Sequence, residues 1–277
     1  MTQSIIKDFS KLCLHTITTK PWSIEVAIEK YAKAGIKGIT VWRQWLEGQN
    51  PQQIGENIRA AGLEVVSLAR GGFFPADNQK DRQIAIDDNR KIIDEAAALG
   101  APLVVLVCGA VPGQPLAESR KQIQEGVGAI ADHAHQLNIK LGIEPLHPMY
   151  ADDRSAINTL KQANNMSETL NHPSVGVVID IYHLWWDPEL KIEILRCGNN
   201  HQLFAFHICD WLTPTKDLLN DRGLMGDGCI NIPQIRGWVE KTGFKGFIEV
   251  EIFSNDWWQK DQDKFLEKIK IAYLEHS

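Results

Sequence analysis

Four polar side chains lie near the C-terminal ends of four separate apolar segments, namely Glu144, Asp180, His207 and Glu251. Ending an apolar strand with such a group is unusual, because buried charges are costly unless they are paired or coordinate a metal. Three carboxylates and one imidazole suit a divalent cation of hard to borderline character. Any one of these residues alone would fit an ordinary strand end or helix cap. Together they predict a metal site.

Two glutamates beside a divalent metal also indicate proton transfer. The metal polarises a carbonyl group and a neighbouring hydroxyl group, so the adjacent C–H bond becomes more acidic and an enediolate is stabilised. One of Glu144 and Glu251 would remove the proton and the other would return it. This chemistry is typical of isomerases and epimerases. A dehydratase or lyase that expels a β-hydroxyl group from the same enediolate is the alternative, and a non-catalytic sugar-binding barrel is a remote one.

Three further polar residues each follow a predicted ligand by three positions, namely His147, His183 and Asp210. His183 is expected to contact a hydroxyl or carbonyl oxygen of the substrate. Asp210 is expected to hold substrate or to orient a neighbouring group. His147 is a weaker candidate for substrate contact. Each of the three is also compatible with a purely structural role.

Glu249 and Glu251 share one face of the last strand, because side chains alternate along a strand with a period of two. Glu251 lies nearer the C-terminal end and is therefore the preferred ligand. Glu249 is expected one layer deeper in the barrel, beside a basic residue.

Arginines and tryptophans follow several of the predicted strands. Arg43 and Arg70 follow the second and third strands, where they could hold a carboxylate or phosphate, or simply lie at the surface. Tryptophan rings suit stacking on the apolar faces of a carbohydrate, and equally suit contacts within a homo-oligomer or ordinary packing; these are Trp42, Trp185, Trp186, Trp211, Trp257 and Trp258. The first strand is not followed by a glycine-rich phosphate turn, so a phosphorylated substrate is not expected.

Short apolar segments alternate with helix-like segments along the whole chain. The predicted strands cover residues 11–17, 38–42, 63–69, 103–107, 140–144, 175–180, 203–207 and 247–251. The predicted helices cover residues 23–34, 51–61, 81–99, 117–137, 155–170, 187–196, 232–242 and 261–274. Eight such units predict a (β/α)8 TIM barrel, with residues 1–277 as one domain. A doubly wound open sheet is the alternative, but it would require a glycine-rich turn after the first strand.

The composition excludes several classes of protein. The net charge is −6 and no basic block is present, so nucleic acid is not an expected partner. No segment has the apolar length of a membrane helix, and the N-terminus lacks the pattern of a signal peptide. The five cysteines include no CxxC pair, which predicts buried, reduced thiols in a cytoplasmic protein. A small carbohydrate is the expected partner.

Several motifs resemble the xylose-isomerase-like TIM-barrel superfamily of sugar (phosphate) isomerases and epimerases. The similar segments are residues 143–145, 180–183, 207–210, 226–231 with the preceding Arg222, and 246–253. The resemblance implies that the four strand-end residues bind one divalent cation, typically Mn2+, otherwise Mg2+, Co2+ or Zn2+. It also implies Glu144 and Glu251 as the acid/base pair, and substrate contacts from His183 and Arg222.

Two departures from the family pattern limit the assignment. Asn231 stands where the family often has aspartate, and Arg222 lies farther from the strand-seven histidine than the arginine of the ketose 3-epimerases does. The second departure disfavours a ketose 3-epimerase. The endonucleases of the superfamily require a multi-zinc cluster with more histidines and a basic groove. Neither feature is expected from this sequence.

Overall fold

The structure is a computed structural model that describes residues 6–277. Eight parallel strands close into a barrel: β1 (Leu12–His15), β2 (Gly38–Trp42), β3 (Glu64–Gly72), β4 (Leu103–Val107), β5 (Lys140–Glu144), β6 (Val175–Asp180), β7 (Leu203–Ile208) and β10 (Ile248–Val250). Strand β1 pairs with both β2 and β10, so the sheet has no free edge. The predicted TIM barrel is therefore confirmed, and the open sheet is excluded.

Helices follow the strands and cover the outside of the barrel. The long ones are α1 (Ile24–Lys33), α2 (Pro51–Ala60), α3 (Gln79–Leu99), α4 (Leu116–Gln136), α5 (Leu160–Leu170), α7 (Leu190–Asn199), α8 (Ile232–Lys241) and α10 (Gln262–His276). Two short helices, α6 (Ile181–Leu184) and α9 (Asn255–Trp258), and a hairpin of β8 (Asp210–Trp211) and β9 (Arg222–Gly223) lie at the C-terminal end of the barrel.

Local sequence signals set many of the helix boundaries. The Ser23 hydroxyl accepts a hydrogen bond from the Val26 amide and caps α1, and Gly35 follows that helix with a φ of 79°. The Asn50 side chain caps α2 directly before Pro51, a favoured first residue of a helix. These signals are readable from sequence alone, which is why the predicted ends of α1 and α2 agree with the structure to within a residue or two.

The structure differs from the predicted elements in several segments, and strand β3 ends at Gly72 rather than at residue 69. Helix α5 begins at Leu160 rather than at residue 155, because the Ser155 and Asn158 side chains bind the backbone of a loop. Helix α7 begins at Leu190 rather than at residue 187, because the Asp187 carboxylate accepts from the Glu189 amide in a turn. The β8–β9 hairpin was not predicted, since each of its strands is only two residues long.

The core lies inside the barrel and between the strands and helices, and it includes Tyr31, Phe74, Phe206 and Phe265. Each cysteine is a free thiol; four are buried and Cys229 is exposed. Within residues 6–277, none of the helices combines the length and the apolar character needed to cross a bilayer. Part of the N-terminal segment in which no signal peptide was expected, residues 1–5, lies outside the described residues.

Candidate metal centre

The predicted ligands converge at the C-terminal end of the barrel: Glu144, Asp180, His207 and Glu251. One ligand atom of each lies within 4.8 Å of the others, and all four side chains are buried. Strands β5, β6, β7 and β10 are consecutive neighbours around the barrel. The register places Asp180 directly beside His207, while Glu251 follows the last residue of β10. Residues far apart in the sequence therefore meet at one rim.

Two members of this group have buried polar atoms that lack hydrogen bonds. Oε1 of Glu144 lies 3.1 Å from Nδ1 of His207, yet neither atom makes a hydrogen bond, and Nε2 of His207 lacks one as well. Buried polar atoms normally have partners. A divalent cation would satisfy Oε1 of Glu144 and one ring nitrogen of His207, so the residues present fit a metal ion.

A second layer of polar residues lies beneath the ligands and holds them in place. Oε2 of Glu249 accepts a 2.6 Å hydrogen bond from the Thr40 hydroxyl and lies 3.1 Å from Nε2 of His15 and 3.7 Å from Nε2 of His207. Nδ1 of His15 lies 2.9 Å from Oε1 of Glu251. Glu249 thus lies one layer deeper beside basic residues, as expected, next to the predicted ligand His207.

His15 was not among the predicted site residues, although its position in the sequence carries a signal. It is the last residue of β1, so the same strand-end rule that found the four ligands also applies to it. Together with His207 and Glu251 it forms a second group of three side chains with ligand atoms close enough to hold an ion.

Arg222 is buried and forms ion pairs with two of the predicted ligands. Its Nη1 lies 3.0 Å from Oδ2 of Asp180 and 2.8 Å from Oε2 of Glu251. Its guanidinium lies between the rings of Tyr182 and Phe253, at 4.3 and 4.7 Å from their centroids. In this structure the principal partners of Arg222 are therefore the carboxylates of Asp180 and Glu251.

Burial and opposite charges pull the pKa values of this cluster in different directions. Burial raises the pKa of Asp180 to about 7, although Arg222 opposes the shift. Burial also acts to raise the pKa of Glu251, but His15 and Arg222 outweigh it and hold that pKa well below its usual range. Burial acts to lower the pKa of His207, whereas the surrounding carboxylates, Glu249 foremost, raise it to about 10. The cluster is therefore internally charge-compensated.

His183 lies beside the ligands and has a free ring nitrogen. Its Nε2 is 3.2 Å from Nη2 of Arg222 and 3.6 Å from Oδ2 of Asp180, and its buried Nδ1 has no hydrogen-bond partner. Burial, and then the charge of Arg222, hold the pKa of His183 well below its usual range. A neutral imidazole at this place can donate to or accept from a substrate oxygen.

A cavity of about 380 Å³ leads from the surface to this cluster. Glu144, Glu251, His183 and Arg222 line its inner end. Aromatic and basic side chains line the rest of it, among them Lys20, Trp42, Arg70, Tyr150, Arg154 and Trp258. The cavity can therefore receive a small polar molecule whose reacting part contacts the glutamates.

Three sequence-predicted contacts lie outside this cavity. The Asp210 carboxylate accepts hydrogen bonds from the amides of Trp211, Gly226 and Ile230, so it supports the loop after β7. Arg43 forms ion pairs with acidic residues of α3. These side chains are engaged in structural interactions within the described part of the chain.

The His147 side chain also belongs to a packed cluster. Its ring lies 5.6 and 5.0 Å from the ring centroids of Trp186 and Trp211, and its Nδ1 accepts from the Met149 amide. Trp185 packs on the same cluster, while Trp257 stacks on a phenylalanine of α10. Of the six tryptophans, the structure brings Trp42 and Trp258 into the cavity lining.

The chain is similar to known proteins over most of its length. Residues 28–269 match a family model described as a xylose isomerase-like TIM barrel. The inosose isomerase of Bacillus subtilis (strain 168) is 22% identical over 281 residues, which cover 94% of this chain and 95% of the relative.

Two solved structures extend this similarity to the fold. A protein of Sinorhizobium meliloti 1021 gives a TM-score of 0.93 at 45% identity, covering 96% of this chain and 98% of that one. The structure of the IOLI protein with a zinc atom gives a TM-score of 0.84 at 21% identity, and the match covers 96% of this chain and 97% of that one.

Proposed function

Because the chain belongs to the xylose isomerase-like TIM barrel family, as its motifs indicated, we propose that it is a divalent-metal-dependent isomerase or epimerase. The substrate would be a sugar, keto-sugar or cyclitol-type compound. The observation that supports this most directly is the approach of Glu144 and Glu251 to Asp180 and His207 at the inner end of the cavity. The relative named inosose isomerase supports a cyclic ketone as one candidate substrate.

Glu144, Asp180, His207 and Glu251 would hold the ion, with Mn2+ as the expected metal. When bound, the ion supplies charge that polarises a carbonyl group and its neighbouring hydroxyl and stabilises an enediolate. The zinc atom named for the IOLI protein structure supports metal binding at this fold. We further propose that residues 1–277 act as one barrel domain.

The protein's own residues would carry the proton. One of Glu144 and Glu251 removes the hydrogen beside the carbonyl, and the other returns a proton to the neighbouring carbon or to the opposite face. Nδ1 of His15 lies 2.9 Å from the Glu251 carboxylate, and this contact limits the movement of the carboxylate during the transfer. His183 would bind a substrate oxygen through the ring nitrogen that has no other partner.

Exchange of substrate hydrogen for solvent deuterium tests this proposal. The Mn2+-loaded enzyme is incubated in D2O with a panel of ketoses, inososes and keto sugar acids, and loss of the C–H signal is followed by proton NMR. Glu251→Gln should lower the exchange rate by at least about 100-fold while retaining a cooperative thermal transition. Glu64→Gln, at an exposed glutamate at the other end of the barrel, is the matched control.

The outcomes separate the alternatives. Unchanged exchange in Glu251→Gln would refute the acid/base role, and no exchange across the panel in the wild type would refute the isomerase assignment. A product that has lost the elements of water would identify a dehydratase that uses the same centre. Isomerised or epimerised product would support the function proposed here.

A further inference from the structure

We propose that the substrate carries a carboxylate, held at the outer part of the cavity by Arg70, Arg154 and Lys20 while its hydroxy-carbonyl end contacts the metal centre. This inference rests on the proposed function and narrows it to sugar-acid or keto-acid substrates. It depends on the charges that line the cavity and on what they contact.

Arg70 makes no hydrogen bond or close ion pair within residues 6–277, and the carboxylates that act on its charge are Glu144 and Glu251 of the metal centre. Its guanidinium contacts two aromatic faces, at 4.4 Å from the Phe73 ring centroid and 5.9 Å from that of Trp42. Rings position a guanidinium without neutralising it, and leave its N–H groups free. Burial, and then the charge of Arg154, lower the pKa of Arg70 despite the opposing charges of Glu144 and Glu251, so this cation is held at a cost that a bound anion would relieve.

Arg154 and Lys20 line the same cavity and are similarly poorly neutralised. The nearest carboxylate to Arg154 is that of its neighbour Asp153, at 3.9 Å and largely exposed. Lys20 lies 4.5 Å from the Trp258 ring centroid and has no ion pair in the described part of the chain. The outer cavity thus collects three cations with little local compensation.

The acidic residues at the inner end do not balance these cations once an ion is bound. Two charges from a divalent ion and one from Arg222 would offset most of the charge of the four buried carboxylates there. The loaded cavity would then be cationic at its outer end, which favours an anionic substrate electrostatically. A neutral sugar would leave the positive charge of the outer cavity uncompensated.

The structure favours a carboxylate over a phosphate. Barrels commonly bind phosphate through backbone amides of the loops after strands seven and eight. In the loop after β7, such amides already donate to the chain's own carboxylates: Gly226 to Asp210, Lys216 to Asp221, and Leu219 to Asp217. The guanidinium groups that remain can pair with a carboxylate or a phosphate, so the occupied loop amides are what favour the carboxylate.

Three matched ligands test the inference by calorimetric titration of the Mn2+-loaded protein. D-Gluconate, D-glucitol and D-glucitol 6-phosphate share a six-carbon polyol chain and differ at one end. Gluconate should bind at least about tenfold more tightly than either of the others. Glucitol has no anionic group for the guanidinium groups to bind, and the phosphate finds the amides of the loop after β7 already occupied. Equal binding of gluconate and glucitol, or tighter binding of the phosphate, would overturn the inference.

Variants then identify the groups that bind the carboxylate. Arg70→Gln and Arg154→Gln should each reduce gluconate affinity at least about fivefold and leave glucitol affinity within about twofold. Arg90→Gln, which removes an arginine from the exposed face of α3, should change neither. Unchanged Mn2+ affinity and melting temperature show that each variant is folded. A gluconate preference that survives both variants would show that the carboxylate binds the metal and would refute the role of the arginines.

The inference and the proposed function fail separately. An arginine-dependent preference for gluconate without any solvent exchange would support the carboxylate site and remove the isomerase assignment. Solvent exchange in neutral ketoses without a preference for gluconate would support the isomerase assignment and refute the carboxylate site.

Discussion

Replacing Arg222 by methionine should destabilise the metal-free protein far more than the metal-bound protein. The guanidinium is buried and makes ion pairs of 2.8 and 3.0 Å with Glu251 and Asp180. At an effective dielectric constant of about 20, each contact is worth about 6 kcal/mol before desolvation is subtracted. Removing one partner from such a buried group typically costs about 3–5 kcal/mol, because the remaining charges stay buried.

A divalent ion at the same carboxylates would replace the lost positive charge. For a domain of this size, 1 kcal/mol shifts the melting temperature by about 2–4 °C, so the metal-free Arg222→Met variant should melt about 6–20 °C below the wild type. Saturating Mn2+ should reduce that difference by more than half. Since the competing guanidinium is gone, Mn2+ should also bind the variant at least as tightly as the wild type.

Calorimetric melting with EDTA or with Mn2+, and titration with Mn2+, measure both effects. Arg196→Met is the matched control, since Arg196 pairs with Glu193 and a second glutamate on the helices, away from the metal centre; its loss of stability should not depend on Mn2+. An equal loss for Arg222→Met with and without Mn2+, or weaker Mn2+ binding by that variant, would refute the charge-replacement argument.

Three further predictions concern the pH dependence of metal binding, the loop and the helix packing. The ring of His207, whose pKa is raised to about 10, must lose its proton to bind a metal, so between pH 7 and 8.5 Mn2+ affinity measured by titration should rise about tenfold per pH unit. A flat profile would contradict this. Asp210→Ala should raise KM more than it lowers kcat in steady-state kinetics, because three loop amides lose their acceptor; an unchanged KM would contradict it. Gly126→Ala should cost about 1–3 kcal/mol in urea unfolding because its Cβ would lie 2.4 Å from the Phe74 ring, whereas Gly128→Ala, with its nearest contact at 3.4 Å, should stabilise by up to about 1 kcal/mol. Equal stabilities of these two variants would refute the packing argument.

The barrel and its four strand-end residues were predictable because both follow from local sequence patterns. Near-continuous apolar segments bounded by capping residues define the strands and helices, and the barrel brings the strand ends to one rim. Strands β2, β4, β5 and β6 have the predicted bounds. The placement of Glu251 above Glu249 followed from the two-residue period of a strand.

The partners of those residues were less predictable because they depend on side-chain direction in three dimensions. The alignment of Thr40 and His15 with Glu249 results from the register of β1, β2 and β10, which no single segment encodes. Arg154 lines the cavity from the loop before α5. The predicted helix began at residue 155, directly after Arg154, so the course of this loop was not anticipated. Asp210 has the spacing of a substrate contact, yet its carboxylate binds loop amides.

The charge balance of the centre connects stability with function. Its buried carboxylates are compensated by Arg222 and by the rings of His15 and His207, so metal binding would exchange protons and an arginine contact for an ion. Arg222 would then keep its place between the Tyr182 and Phe253 rings, beside the cavity, with N–H groups released from the carboxylates. This provides a route by which Arg222, an ion-pair partner in the metal-free protein, becomes the substrate contact expected from the sequence.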